Sequence, residues 1–220
     1  MRPGAAALRA GLSALSLCLS EVQVDQLLDY QELIQKWNKV YNLTAVRDPA
    51  EVLTHHLLDS LSIIGPLRLA LDERTSSRLL DVGSGAGLPG VVIAICCPEI
   101  AVDCVDAVAK KTAFIQQAGF SLGLSNLRSV HARVESLTAK YDVVCSRAFA
   151  SLVDFTSLTS GALDEGGLWL AMKGKYPAEE VLALPADVAV FHVERLSVPG
   201  LDADRCIVWM KNHPSVPATI

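Results

Sequence analysis

The chain has 220 residues, 51% of them hydrophobic and 20% charged. That balance excludes an intrinsically disordered chain, and the length suits one sizeable domain or a domain with an appendage. A formal net charge of −5 excludes a globally basic nucleic-acid binder, so any RNA contact must come from a local basic patch, and no apolar run reaches the roughly 20 residues that cross a bilayer.

The first twenty residues are rich in Ala and Leu behind Arg2, a composition that imitates a secretory signal. Arg9 interrupts the apolar stretch, and Leu8, Leu12, Leu15 and Leu19 recur at helical spacing, so an amphipathic helix is expected instead. Ser20-Glu21-Val22-Gln23 has the spacing of a capping box. Leu27, Tyr30, Ile34, Trp37 and Tyr41 then follow at steps of three and four, which places them on one helix face. In that stripe Trp37 reads as a core residue rather than a platform for stacking bases. Asn42 and Thr44 suit a turn. Asp48-Pro49-Ala50-Glu51 opens another helix, with Asp as cap, Pro at the first helical position and Glu in the first turn. It is expected to run to about residue 64 and to end before Pro66. The polar stretch 71–77 reads as a linker.

From Arg78 onward, short apolar strands alternate with helices. Strands are expected at 79–82, 102–105, 127–132, 143–146 and 168–172, with helices at 88–96, 110–122 and 152–163. A final pair, 188–195 and 206–211, surrounds the Pro199-Gly200 turn with no obvious helix between, which suggests antiparallel strands at an edge. The alternation gives an α/β, Rossmann-like fold: a mostly parallel twisted sheet with helices on both faces, behind a small helical N-terminal extension. The expected division is a helical region over 1–75, a ligand-binding α/β domain over 76–213 and a tail over 214–220. Cys18, Cys96, Cys97, Cys104, Cys145 and Cys206 form no C-x-x-C pair and have no accompanying histidine cluster, so they read as reduced, mostly buried thiols without metal.

The chemistry concentrates after the first strand. Asp81-Val82-Gly83-Ser84-Gly85-Ala86-Gly87 lies between a strand and a helix, where open α/β sheets bind ligands. Its glycines let backbone approach a ligand closely, and the helix start offers free N–H groups. Asp106 follows the next strand, placed to bind ribose hydroxyls. Gly85-Ala86-Gly87-Leu88-Pro89-Gly90 also fits the dinucleotide pattern, which would suggest a nicotinamide-dependent dehydrogenase. Asp81 tilts the choice, because a carboxylate beside the loop repels a pyrophosphate yet can organise the loop and face the ammonium of a methionine moiety. Arg133-Val134-Glu135 would line the crevice beside an adenine. Ser146-Arg147-Ala148-Phe149-Ala150 follows the fourth strand, and an arginine at the end of a buried strand is costly unless paired or used. These readings favour S-adenosylmethionine, with S-adenosylhomocysteine as product.

Several strings resemble the bacterial 16S rRNA guanine-N7 methyltransferase G family, also called glucose-inhibited division protein B. They are Lys36-Trp37-Asn38-Lys39-Val40-Tyr41-Asn42-Leu43-Thr44, His56-Leu57-Leu58-Asp59-Ser60, the glycine loop through Gly90, Ser146–Ala150 and Lys173-Gly174. The resemblance covers nearly the whole chain, in order. It departs at His55, where an Arg often stands, and at Val92, which replaces a frequent proline. It implies a class I methyltransferase fold and an enzyme acting on 16S rRNA or the small ribosomal subunit; a cytoplasmic monomer without metal is expected from the reduced thiols and the lack of an exposed interface pattern. It also implies cofactor contacts at Gly83, Leu88, Val134, Glu135 and Arg147, beside Asp81, Gly85, Gly87 and Asp106 of the reading above. Lys36, Lys39, Arg47, Lys173 and Lys175 are the candidates for RNA contact, and Arg147 is expected to bind. No residue is assigned a catalytic role: guanine N7 needs no general base, no Asn-Pro-Pro-Tyr string follows the fourth strand, and Cys145 reads as buried.

Overall fold

A computed structural model describes residues 2, 4–71, 77–149 and 151–213. The inner part of the expected linker (72–76) and the expected tail (214–220) lie outside them, as does Ala150. Helix α1 spans Ala5–Ala14, shorter than the leucine spacing suggests: Leu15 caps it, and Leu19 lies beyond its end while still packing on the core. Helix α2, Glu21–Tyr41, starts at Ser20 with the capping box formed, Ser20 accepting from the Gln23 N–H while Gln23 accepts from the Ser20 N–H. Leu27, Tyr30 and Ile34 are fully buried, and Trp37 is partly buried, its ring 5.5 Å from that of Phe114. Tyr41, last in the stripe, is exposed. Asn42 ends the helix in the left-handed conformation.

Asp48 caps α3, Pro49–Val52, which continues as a π-helical stretch, Leu53–Leu58, and then α4, Asp59–Leu61. The helix opened by Asp48 ends at Leu61, before Pro66 as expected but short of residue 64, and a second helix that was not expected follows. The chain breaks at Ser62 and Ile63, and α5, Ile64–Leu71, contains Pro66 in its first turn, where the missing N–H would have had no helical acceptor anyway.

The α/β part runs β1 (Ser77–Val82), α6 (Gly90–Cys96), β2 (Ile100–Asp106), α7 (Ala109–Leu122), β3 (Leu127–His131), β4 (Tyr141–Arg147), α8 (Leu152–Thr159), β5 (Leu163–Lys173), α9 (Ala178–Leu182), β6 (Val188–Leu196) and β7 (Arg205–Asn212). Two expectations change here. Helix α8 stops at Thr159, a tight turn over Ser160–Ala162 follows, and β5 begins where helix was expected to end. The five-residue α9 was not foreseen and buries none of its residues.

The seven strands form one sheet in the order β3-β2-β1-β4-β5-β7-β6. Strands β1 to β5 pair in parallel, and β7 lies antiparallel between β5 and the edge strand β6. Two hydrophobic clusters fill the two faces. One joins the N-terminal helices with α6 and α7, and the other packs α8 on the opposite side. Strand order reverses between β1 and β4, so the crevice outside their carboxyl ends is where this architecture binds ligands.

Candidate active site

The turn after β1 is built from below. Asp81, fully buried, accepts the Gly90 N–H at Oδ2 (2.9 Å), while the Ser84 hydroxyl donates to the Asp81 carbonyl (2.7 Å). A Cβ on Gly90 would stand 2.3 Å from Cys104 Sγ and 2.8 Å from Asp81 Oδ2, so the helix start fits against the sheet only as glycine. Gly83, Gly85 and Gly87 take φ of +66°, +60° and +83°. From the helical layer, the Tyr30 hydroxyl donates to the Ala86 carbonyl and lies 3.1 Å from that of Gly87. Asp106, closing β2, accepts the Gly85 N–H (3.0 Å) and the Val108 N–H (2.9 Å), with Lys111 Nζ at 3.5 Å.

Above the loop opens a cleft of about 540 Å³. Of the expected site residues, Gly83, Gly85, Leu88, Arg147 and Lys173 line it. Asp81 and Gly87 lie beneath it, buried, so Asp81 acts through the loop it fixes and presents no carboxylate surface to the cleft. Asp106 stands behind Gly85. Val134 is buried and Glu135 exposed in a short turn after β3, both outside the cleft's lining. Lys36, Lys39, Arg47 and Lys175 are exposed and also outside it.

The opposite wall was largely unforeseen. Arg147 reaches from the end of β4 to the π-helical stretch, donating to the His55 carbonyl (2.9 Å) and to Asp59 Oδ2 (3.0 Å). Arg205, at the start of β7, donates to Asp59 Oδ1 (2.9 Å). The cost of an arginine at a strand end is therefore met by a buried carboxylate shared between two guanidinium groups. His56 Nε2 lies 2.7 Å from Thr44 Oγ1, and its Nδ1 lies 3.5 Å from Arg147 Nη2. Thr44, His55 and His56 line the cleft with them. The string His56–Ser60 had marked the segment, but nothing in it indicated Arg205. Ala148, also lining the cleft, takes φ +61°, an unfavourable conformation for a residue with a Cβ.

Two buried groups here respond oppositely to acid. Burial pushes the Asp81 carboxyl up from 3.8 to about 6, against the opposing hydrogen bond from Gly90. Burial, helped by the Arg147 charge, pushes the His56 imidazole down from 6.5 to about 4. Between pH 6 and 4 the folded chain holds a proton on Asp81 that the unfolded chain lacks, so acidification stabilises the fold. Between pH 6.5 and 4 the unfolded chain holds a proton on His56 that the folded chain lacks, so acidification destabilises it. Each of these is worth about 3 kcal/mol, and the two offset each other. Urea denaturation across pH 7 to 4 should therefore show Asp81→Asn losing stability steeply on acidification and His56→Gln gaining it. Parallel profiles for the two variants would contradict these protonation states.

A seven-stranded sheet in this order, with a glycine loop at the carboxyl end of β1 and an acid closing β2, has the fold of the Rossmann-like S-adenosylmethionine-dependent methyltransferases. Comparison with known proteins agrees. The family model described as rRNA small subunit methyltransferase G matches residues 23–208. Ribosomal RNA small subunit methyltransferase G of Polaromonas sp. (strain JS666 / ATCC BAA-500) is 65% identical over 214 residues, covering 96% of this chain and 95% of the relative. That of Albidiferax ferrireducens is 67% identical over 220 residues, covering 96% and 98%. Among solved structures, TrmN from Thermus thermophilus superposes with a TM-score of 0.56 at 19% identity, covering 73% of this chain and 53% of that one. The ribosomal protein L11 methylase from Lactobacillus delbrueckii subsp. bulgaricus gives 0.54 at 13% identity, covering 71% and 77%, and these two likenesses bear on the fold alone. The chain belongs to the rRNA small subunit methyltransferase G family. The dehydrogenase alternative falls with that assignment, and Gly90 has its own reason in the packing against Asp81 and Cys104. Among the described residues, no helix is long and apolar enough to cross a membrane, and no group of His, Cys, Asp or Glu is arranged to hold a metal.

Proposed function

We propose that this protein, a cytoplasmic monomer, transfers the methyl group of S-adenosylmethionine to N7 of one guanine in the 16S rRNA of the small ribosomal subunit. The observation that supports this most is one cleft with the glycine loop on one wall and the Arg147–Asp59–Arg205 cluster on the other, in a chain of this family.

The residues fit the cofactor. A Cβ on Gly83 would meet only the Phe149 ring, at 4.0 Å, and one on Gly85 only the Gly83 carbonyl, at 3.9 Å, so the loop's cleft side is open backbone. Asp106 has acceptor capacity left for ribose hydroxyls beyond the Gly85 and Val108 N–H groups and the nearby Lys111 ammonium. Val134 and Glu135 would stand by the adenine, with Gly87 and Leu88 completing the loop and Asp81 fixing it from below. Arg147 would border both cofactor and base.

When bound, S-adenosylmethionine supplies an electrophilic methyl on sulfur. Guanine N7 brings an in-plane lone pair and no proton, so the chain need supply no general base. What the protein contributes is alignment and exclusion of water, and positioning alone can provide effective molarities of about 10⁵ M or more. A covalent route through Cys145 is disfavoured, because the thiol is fully buried and burial raises it well above its ordinary range. The test is transfer of a labelled methyl from S-adenosylmethionine to undermethylated small subunits and to deproteinised 16S rRNA. One guanine should be marked in at least one of them, and no transfer to either would sink the proposal.

A further inference from the structure

The cations around the cleft divide by whether an acid meets them. Those in its wall are compensated: Arg147 and Arg205 share Asp59, and Lys173 Nζ lies 2.7 Å from Glu180 Oε2. Two further cavities adjoin the cleft and share lining residues with it. One, about 400 Å³, shares Val46 and is lined by Lys39 and Arg47. The other, about 810 Å³, shares Gly174 and Arg205 and is lined by Lys175, Arg195 and Tyr176. Lys39, Arg47, Lys175 and Arg195 are all exposed, and none has a carboxylate within 4.0 Å among the described residues. Asp202 and Asp204 line the second cavity too, without pairing with Lys175 or Arg195. Tyr176 is 52% exposed, an aromatic face offered to solvent at that end.

This pattern separates two kinds of ligand group. A compensated wall suits an uncharged base, whereas phosphates gain most from cations with no acid partner. We propose that single-stranded RNA crosses the molecule from the Lys39–Arg47 shelf to the Lys175–Arg195 shelf. The shelves hold backbone phosphates on the two sides of the nucleotide whose base enters the cleft, and Tyr176 stacks a flanking base. A paired helix would not serve, since its bases are stacked away from a cleft of this kind. The inference rests on the ribosomal RNA reading above, and it brings Lys39, Arg47 and Lys175 into one track while adding Arg195 and Tyr176.

Fluorescence anisotropy with a fluorescein-labelled RNA stem-loop carrying a guanine in its loop, between 50 and 200 mM salt, tests it. Each phosphate contact to a single strand contributes about 0.7 to the slope of log affinity against log salt. Lys39→Ala/Arg47→Ala and Lys175→Ala/Arg195→Ala should each flatten that slope by about 1.4, with S-adenosylmethionine affinity unchanged. Lys211→Ala, at a cation resting over the Phe191 ring outside these cavities, should leave the slope as it is. Tyr176→Ala should weaken binding about tenfold and Tyr176→Phe hardly at all. A wild-type slope in either double variant, or an equal flattening in Lys211→Ala, overturns the track. If wild-type protein methylates rRNA while the shelf variants keep their slopes, the track alone is wrong. If it neither methylates rRNA nor binds the stem-loop, the functional proposal fails with it.

Discussion

Asp59→Ala is expected to lower the free energy of unfolding by about 3 kcal/mol and to remove most methyl transfer. Asp59 is 4% exposed and accepts from both Arg147 and Arg205. Removing the shared carboxylate leaves two guanidinium groups in the cleft wall without their acid, and breaking a buried pair from one side costs about 3–5 kcal/mol. The lower end applies because both arginines keep some solvent, at 20% and 24% exposure. Activity falls for a second reason: Asp59 and the His55 carbonyl together hold Arg147 in the cleft wall, so losing Asp59 loosens a group that borders both proposed ligands. Asp59→Asn, which keeps the volume, should recover part of the stability and little of the kcat/KM. Equal recovery of both would show Asp59 to be structural only.

Gly90→Ala should be the other severe change, although it adds a single methyl. Its Cβ would fall 2.3 Å from Cys104 Sγ, 2.8 Å from Asp81 Oδ2 and 3.0 Å from Asp81 Cβ. All three atoms belong to fully buried strand residues, and overpacking of this kind costs about 1–3 kcal/mol. The displacement would also pull the Gly90 N–H from Asp81 and so tilt the start of α6 and the loop ahead of it. Thermal denaturation with and without S-adenosylmethionine reads both effects. A lower Tm and a loss of the cofactor-induced shift are expected. An unchanged shift would mean that the loop's shape does not depend on this contact.

What could be read from the sequence follows the range of the interactions. The capping box at Ser20–Gln23, the Asp48–Pro49 helix start and the glycine loop are encoded within a few residues, and each stands where the spacing put it. The succession of strands and helices needed only alternation and apolar runs, whereas the order of the strands in the sheet was not legible. Arg147 was legible as an arginine that is either paired or used, but its partner was not legible: Asp59 lies 88 residues away, and Arg205 lies 146 residues from Asp59. No local period encodes such a pair. Tyr30 was legible as a buried position, yet its hydroxyl's bond to the glycine loop depends on how α2 docks on the sheet. Asp81 was read as a neighbour of the loop, and only the packing shows that it works from underneath. The helix that begins at Ile64 could not be read, because a proline tolerated in a first turn looks along the chain like a stop. The basic candidates looked alike in sequence. Their environments separate Lys173, which meets Glu180, from Lys39, Arg47 and Lys175, which meet no acid among the described residues.

The most direct test of the central claim is nucleoside mass spectrometry with position mapping on 16S rRNA. The RNA would come from undermethylated small subunits incubated with this protein and S-adenosylmethionine. The account predicts a single 7-methylguanosine at one position, absent from a parallel reaction without the protein. A methyl group on an exocyclic amine or a ring carbon, or 7-methylguanosine scattered over many positions, would contradict it.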